Sequence, residues 1–331
     1  MASKISWFGG HMARTVRELK DRLKLIDLVL EVRDARIPFS SANPELENLV
    51  RQKRRLIVLN KADLAAPDKQ QAVLYRLQEQ QLSALFTSSQ KRGSIQQLLQ
   101  TIMRRLKADK PNADMLMIMA VGIPNSGKST LINALRHAAK LGKGSSSGGR
   151  AATGATPGLT RHISGFQVGE RPTAFLMDTP GVMLPNVPNE EVGMRLALTG
   201  AIKDSIVGEE RLVQHLLLEL AHQPSFTGEK AGPSSKHAEK VSLLQRATTA
   251  AVEAMRHSLQ DSQPAKDWAD KLTSLQQLNH DVDMDDGLAA LQHTLQQKTF
   301  DVDKSRLDAS YRKVLQAYRA GDLGRYTLDS L

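Results

Sequence analysis

Along the first half of the chain, apolar positions follow two rhythms. Short, nearly unbroken apolar runs occur in IDLVLEVRDAR, RLIVLN, ALFTSS, MLMIMAVG and TAFLMD. Their short length and apolar character predict buried strands. Between them, residues 12 to 25, PELENLVRQK, the stretch from Lys69 to Gln81, IQQLLQTIMRRLK and SGKSTLINALRHA repeat apolar residues at helical spacing. Gly93-Ser94 marks the start of the fourth of these helices. Strands alternating with helices predict an α/β fold with a mostly parallel sheet covered on both faces. From about Val207 the strand rhythm stops. ERLVQHLLLEL, VSLLQRATTAAVEAM, AKDWADKLTSLQQL and SRLDASYRKVLQAYR all read as helices. The expected division is therefore an α/β domain over residues 1–207 and an all-helical domain over 208–331. KLGKGSSSGGRAATGAT, between Ala139 and Thr156, follows neither rhythm and is expected to be mobile without a ligand. QPSFTGEKAGPSSK is expected to be an exposed loop in the helical domain.

The 331 residues suffice for two domains, and 40% hydrophobic content suits packed cores. No run of 18 apolar residues occurs, so no transmembrane helix is expected. The absence of cysteine excludes disulfides, cysteine metal sites and thiol catalysis. The net charge of +10 is unevenly placed: residues 1–110 hold 21 of the 45 Lys/Arg but only 11 of the 35 Asp/Glu, leaving 24 against 24 for the rest. A basic first third fits a polyanionic partner such as RNA, and equally a solvated basic surface. MASKISWFGGHMARTVRELK lacks the apolar core of a secretory signal. Any transit peptide is very short, already removed, or merged with the first helix.

GIPNSGKS matches the phosphate-binding loop in full, through Gly122, Gly127, Lys128 and Ser129. It follows a strand and opens a helix, as such a loop must. Glycines let backbone amides turn inward around phosphate oxygens, and the helix start adds a favourable dipole. Asn125, Ser126, Gly127 and Thr130 complete the cradle. Lys128 is expected on the β- and γ-phosphates and Ser129 on Mg²⁺. Asp178 closes TAFLMD ahead of Pro180 and Gly181. Its carboxylate is expected to hold Mg²⁺, and the Gly181 amide to meet the γ-phosphate. A threonine at the end of the mobile segment or just after it could close on the metal when the γ-phosphate is present. Thr160 in PGLTR is preferred over Thr156.

Residues 60–63 form an Asn-Lys-Ala-Asp turn after the strand RLIVLN. The Asp63 carboxylate can accept from the N1–H and exocyclic amine of guanine, a donor pair adenine lacks. Asn60 braces the loop and the Lys61 stem covers the ring. Ser88 and Ser89 are expected to supply an amide to the guanine O6. DVDMDDG, at residues 281–287, resembles a calcium loop. It fails because Asp286 sits at the glycine position and Gln292 where a bidentate Glu is required.

All the parts of a GTPase are thus present in rotated order: base reader at 60 and 88, phosphate cradle at 122, switch threonine at 160, metal carboxylate at 178. A parallel sheet tolerates this when the usual termini lie close enough to be joined. The arrangement resembles the circularly permuted GTPases of the YlqF/RbgA kind, which act in large ribosomal subunit assembly. WFGGHMART is similar to the family's WFPGHMAK, with Gly9 in place of its proline. DARIP, NKAD, GIPNSGKSTLIN, PGLTR and DTPGV follow in family order. RLALTGAIKDSIVGEE and YRAGDLGRYTLD look most like the mitochondrial branch.

The resemblance implies further expectations. Val182 stands where other GTPases carry a catalytic glutamine. Asn125 matches the asparagine that contacts a stimulating K⁺. His11, in the GHM motif, is the water-activating residue, beside Lys128 and Thr160 in catalysis. The implied function is GTP hydrolysis coupled to late maturation of the large ribosomal subunit. The implied partners are GTP or GDP, the subunit and its rRNA, with no DNA. The free protein is expected to be monomeric. Mitochondrial matrix is the implied location, with peripheral inner-membrane association left open and a bacterial-type cytoplasm as the alternative. Two other functions stay open: a scaffold that binds GTP without hydrolysing it, and a signalling GTPase with protein partners.

Overall fold

The computed structural model describes residues 12–142, 165–177, 187–221 and 304–329. They fall into two compact units, Met1–Ile206 with Arg325–Leu331, and Val207–Gly324. The closing residues therefore group with the first unit, whereas the sequence pattern carries the helical domain through to residue 331.

The first unit is built on a six-stranded sheet in the order β3-β2-β1-β4-β6-β5. The strands are β1 (Leu28–Asp34), β2 (Arg54–Asn60), β3 (Ala84–Thr87), β4 (Met115–Val121), β5 (Gly165–Glu170) and β6 (Thr173–Met177). The first four and β6 run parallel; β5 is antiparallel to β6. The helices are α1 (Met12–Leu23), α2 (Pro44–Val50), α3 (Gln70–Glu79), α4 (Arg92–Asp109), α5 (Lys128–Gly142), α6 (Glu190–Leu198) and α7 (Asp204–Val207).

The period of two in β1 and β2 decides which face each residue serves. Leu28, Leu30, Val32, Leu56 and Val58 join one core with Ile95, Leu98 and Ile102 of α4 and Leu131 and Leu135 of α5. The alternate residues face the other way. Val29 packs with Leu19 and Leu23 of α1 and Leu46 and Val50 of α2. Ile57 and Leu59 pack with Val73 and Leu77 of α3. Glu31 and Arg33 stay inside β1 because they pair: Arg33 Nε donates to Glu31 at 2.6 Å, Arg33 Nη2 to Glu47 at 3.0 Å, and Arg55 to Glu31 at 2.9 Å. Losing one partner of such a buried set costs more than the pair contributes. Helix α2 ends at Val50, shorter than PELENLVRQK suggests. It is capped by Asn43, whose side-chain oxygen accepts from the Glu45 and Leu46 amides.

β5 escapes the hydrophobic pattern. Its sequence GFQVGE holds two glycines and buries only Val168. It is a strand because it pairs with β6, with a register shift between Gln167 and Gly169. Helices α6 and α7 also lie outside the predicted set; Asn189 caps α6 by accepting from the Val192 amide.

In the second unit, α8 (Glu209–Ala221) and α9 (Lys304–Ala320) pack together, and Leu212, Val213, Leu216 and Leu220 of the first and Tyr311, Val314, Leu315 and Tyr318 of the second are buried. The segments expected as helices within residues 222–303, and the DVDMDDG loop, lie outside the described residues. No described helix is long and apolar enough to cross a membrane.

Candidate functional site

Five parallel strands present their carboxyl ends at one edge of the sheet, where loops of an α/β sheet gather a ligand. The loop after β4 is the phosphate-loop motif. Gly122 has φ 151° and Gly127 φ 88°. A Cβ on Gly122 would run into the Val32 carbonyl oxygen of β1, and one on Gly127 into the Asn60 side-chain amide. Both glycines are therefore demanded by backbone angle and by close approach. The Ile123 carbonyl accepts from Ser126 Oγ at 3.0 Å and from Lys128 Nζ at 2.6 Å. Lys128 opens α5, so its ammonium lies near the positive end of the helix. Burial, and then the neighbouring Lys61 charge, push the Lys128 pKa down to about 8. Ser129 and Thr130 are exposed in the first turn of α5.

The loop after β2 is locked to this cradle. The buried Asn60 amide donates to the Ser126 carbonyl at 3.0 Å and the Gly127 carbonyl at 3.4 Å. Its oxygen accepts from Ser89 Oγ at 2.8 Å. One side chain thus ties together three loops that lie far apart in sequence. Lys61 adopts φ 62°, and its Nζ donates to the Asn125 carbonyl at 2.5 Å while pairing with Asp34 at 2.9 Å. Burial opposes charge on Asp34, but the Arg36 guanidinium and the Lys61 ammonium hold its carboxyl well below the usual carboxylate range. Asp63 is half-buried, and among the described residues its carboxylate takes no donor.

The two serines separate. The Ser88 amide already donates to Ser94 Oγ at 2.9 Å. That leaves the Ser89 amide as the better candidate for a base oxygen. Ser88 Oγ and Thr87 Oγ1 are buried without a hydrogen-bond partner among the described residues. Asn125, at φ 54°, donates its side-chain amide to the Gly200 carbonyl at 2.6 Å, which leaves Oδ1 as its free acceptor.

β6 ends at Met177. Asp178, Gly181 and Val182 follow it outside the described residues, as do His11, Thr156 and Thr160. Three contributors were not singled out as site residues from sequence: Asp34 beneath Lys61, Ser94 beneath Ser88, and Gly200 beside Asn125. A carboxylate ending an apolar strand at the same sheet edge is a signal for the first. The other two have none.

Residues 117–223 match the family described as 50S ribosome-binding GTPase. The chain is 43% identical over 227 residues to mouse mitochondrial ribosome-associated GTPase 1, covering 66% of this chain and 68% of that protein. It is 43% identical over 217 residues to Short integuments 2, mitochondrial, of Arabidopsis thaliana, covering 65% of this chain but only 56% of that longer protein. It is 40% identical over 212 residues to ribosome biogenesis GTPase A of Bacillus pumilus, covering 61% and 70% of the two chains. The fold matches the crystal structure of GNP-bound YlqF from T. maritima with a TM-score of 0.53 at 18% identity, covering 96% of this chain and 98% of that one. The chain belongs to the GTPase family that includes mitochondrial ribosome-associated GTPase 1 and ribosome biogenesis GTPase A.

Proposed function

We propose that this chain is a Mg²⁺-dependent GTP-hydrolysing factor that binds the large ribosomal subunit in mitochondria and acts late in its maturation. The observation that carries the reading is the grip of Asn60 on the Ser126 and Gly127 carbonyls. It makes a base reader and a phosphate cradle one rigid pocket despite their reversed order in the chain. In that pocket Asp63 selects guanine, the Ser89 amide meets O6, and Lys128 with the start of α5 neutralises phosphate charge. The names of the relatives, ribosome-associated and ribosome biogenesis GTPases, support the partner, and two of them support the compartment.

The oxygen donors present suit a hard cation. Ser129 stands exposed beside Lys128, and no trio of His, Asp and Glu side chains converges among the described residues. Ser129, with Thr160 and Asp178, would hold Mg²⁺ together with the nucleotide's own phosphates, where the ion offsets charge developing on the transferred group. Asn125 Oδ1 would serve K⁺. His11 would orient the attacking water, because Val182 offers no hydrogen bond for that task.

Turnover of GTP measured with purified mitochondrial large subunits, in K⁺ against Na⁺ buffer, tests the reading. Stimulation of about tenfold or more by subunits, larger in K⁺, is the expected result. No stimulated turnover despite GTP-dependent co-sedimentation would leave a binding scaffold. No co-sedimentation even at low salt, where phosphate contacts are strongest, would leave a protein-directed GTPase.

The Lys128 pKa of about 8 adds a pH dependence. Below pH 8 the ammonium is already charged and meets the phosphates directly. Above it, binding must take up a proton. GDP affinity is expected to be flat up to about pH 7.5 and to fall as pH rises past 8, by up to about tenfold per unit. Calorimetry in buffers of different ionisation enthalpy should show that proton uptake directly.

A further inference from the structure

The loop that carries Asp63 is held from its far side by residues more than two hundred and fifty positions later in the chain. Arg325 Nη2 donates to the Ala62 carbonyl at 3.2 Å. The Tyr326 amide donates to the Leu64 carbonyl at 3.1 Å. Thr327 Oγ1 accepts from the Ala66 amide at 3.3 Å. Successive tail residues thus engage alternate loop residues on both sides of Asp63. The tail then turns to a second anchor. The Leu328 amide donates to the Arg36 carbonyl at 2.8 Å. The Asp329 carboxylate accepts from the Phe39 amide at 2.6 Å, the Ser40 amide at 2.8 Å and Ser40 Oγ. Arg195 lies 3.7 Å away.

This second anchor is the loop that follows Asp34, the partner of Lys61. Both charged residues of the base reader are therefore backed by the same strap. Thr327 and Asp329 are only 2% and 4% exposed. Buried polar groups of this kind, fully paired, specify one geometry and become costly when a partner is lost. On the nucleotide side, Asn60 fixes the start of the loop on the Ser126 and Gly127 carbonyls, Lys61 donates to the Asn125 carbonyl, and the Ala62 amide donates to the Thr87 carbonyl.

We propose that the tail residues Arg325–Asp329, and Thr327 and Asp329 above all, are positioning residues for guanine specificity that hold Asp63 in register with the base. The proposal rests on the guanine reading of residues 60–63. Thr327 and Asp329 act on the backbone of the base loop and its neighbour, not on the phosphate cradle. Their loss should weaken the contact of Asp63 with guanine more than the contact of Lys128 with phosphate.

The test uses the full chain and two variants, Thr327→Val, which is isosteric, and Asp329→Asn. Dissociation constants are measured for GDP and for IDP, which lacks the exocyclic amine that Asp63 accepts from. The unaltered chain should prefer GDP by about tenfold or more, the contribution of a hydrogen bond to a charged acceptor. Each variant should cut that preference by about threefold or more. A lowered melting temperature with the GDP to IDP ratio unchanged would show a merely structural strap and overturn the proposal. Thr327→Val decides the matter alone if Asp329→Asn does not fold. Asp63→Asn, assayed in parallel, separates the two claims. If it abolishes the GDP preference while the tail variants keep it, only the tail's role is lost. If it leaves the preference intact, the base reading itself is wrong.

Discussion

Replacing Asp63 with asparagine is expected to turn the chain from a guanine to a xanthine nucleotide binder. The carboxylate accepts two hydrogen bonds from N1–H and the exocyclic amine. An asparagine amide in its place sets a donor against those donors. Hydrogen bonds to a charged acceptor contribute about 1.5–3 kcal/mol each, so GTP affinity should fall by about 10²–10⁴-fold. Xanthine carries a carbonyl where guanine carries the amine, so it can accept from the new amide. Nothing inside the described protein competes for the side chain, because Asp63 takes no donor among the described residues. The change should also leave the fold unharmed: the residue is half-buried, and the loop is held by its backbone. Fluorescent GDP and XDP titrations give the result. An unaltered base preference would remove the permuted-pocket reading and everything built on it.

Replacing Lys128 with methionine is expected to move binding and stability in opposite directions. Without a nucleotide, the ammonium is largely buried beside a second one, Lys61, and among the described residues it donates to the Ile123 carbonyl. A folded pKa of about 8, below the 10.5 of a free lysine, means the fold disfavours the charge. That penalty is full below pH 8 and fades as pH climbs from 8 toward the unfolded value. Removing the charge at pH 7 should therefore stabilise the empty protein, by about 1 kcal/mol after solvent screening, or about 2–4 °C in Tm. The same change removes a charge aimed at the developing phosphate charge, and should cut turnover by about 10²–10³-fold. GDP should then raise the Tm of the unaltered chain but not that of the variant. A Tm that falls in the variant would mean Lys128 is held in place for packing.

Much of the pocket was legible because its chemistry is local. The glycine at 127, the lysine at 128 and the asparagine at 60 are demanded by angle, charge and reach within a few residues, and they sit where the motif puts them. The strands were legible because a strand buried on both faces must be almost wholly apolar, as LIVLN and MLMIMAV are. β5 was not, because an edge strand with one fully buried side chain leaves no period to read. The choice between Ser88 and Ser89 was not legible either. It depends on Ser94, whose hydroxyl reaches back from α4 to the Ser88 amide.

What the chain's linear order determined was most of the strands and helices around the sheet, the candidate reactive groups and their rotated order. Periodicity, turn chemistry and motif spacing are short-range properties and leave a trace in neighbouring residues. Only the folded form decided that Asn60 grips the phosphate loop, that Lys61 leans on Asp34, and that residues 325–329 return to brace the loop around Asp63. Those contacts are backbone and side-chain hydrogen bonds closed across long stretches of chain. They require no period, no particular neighbour and no shared composition, so only the folded chain reveals them.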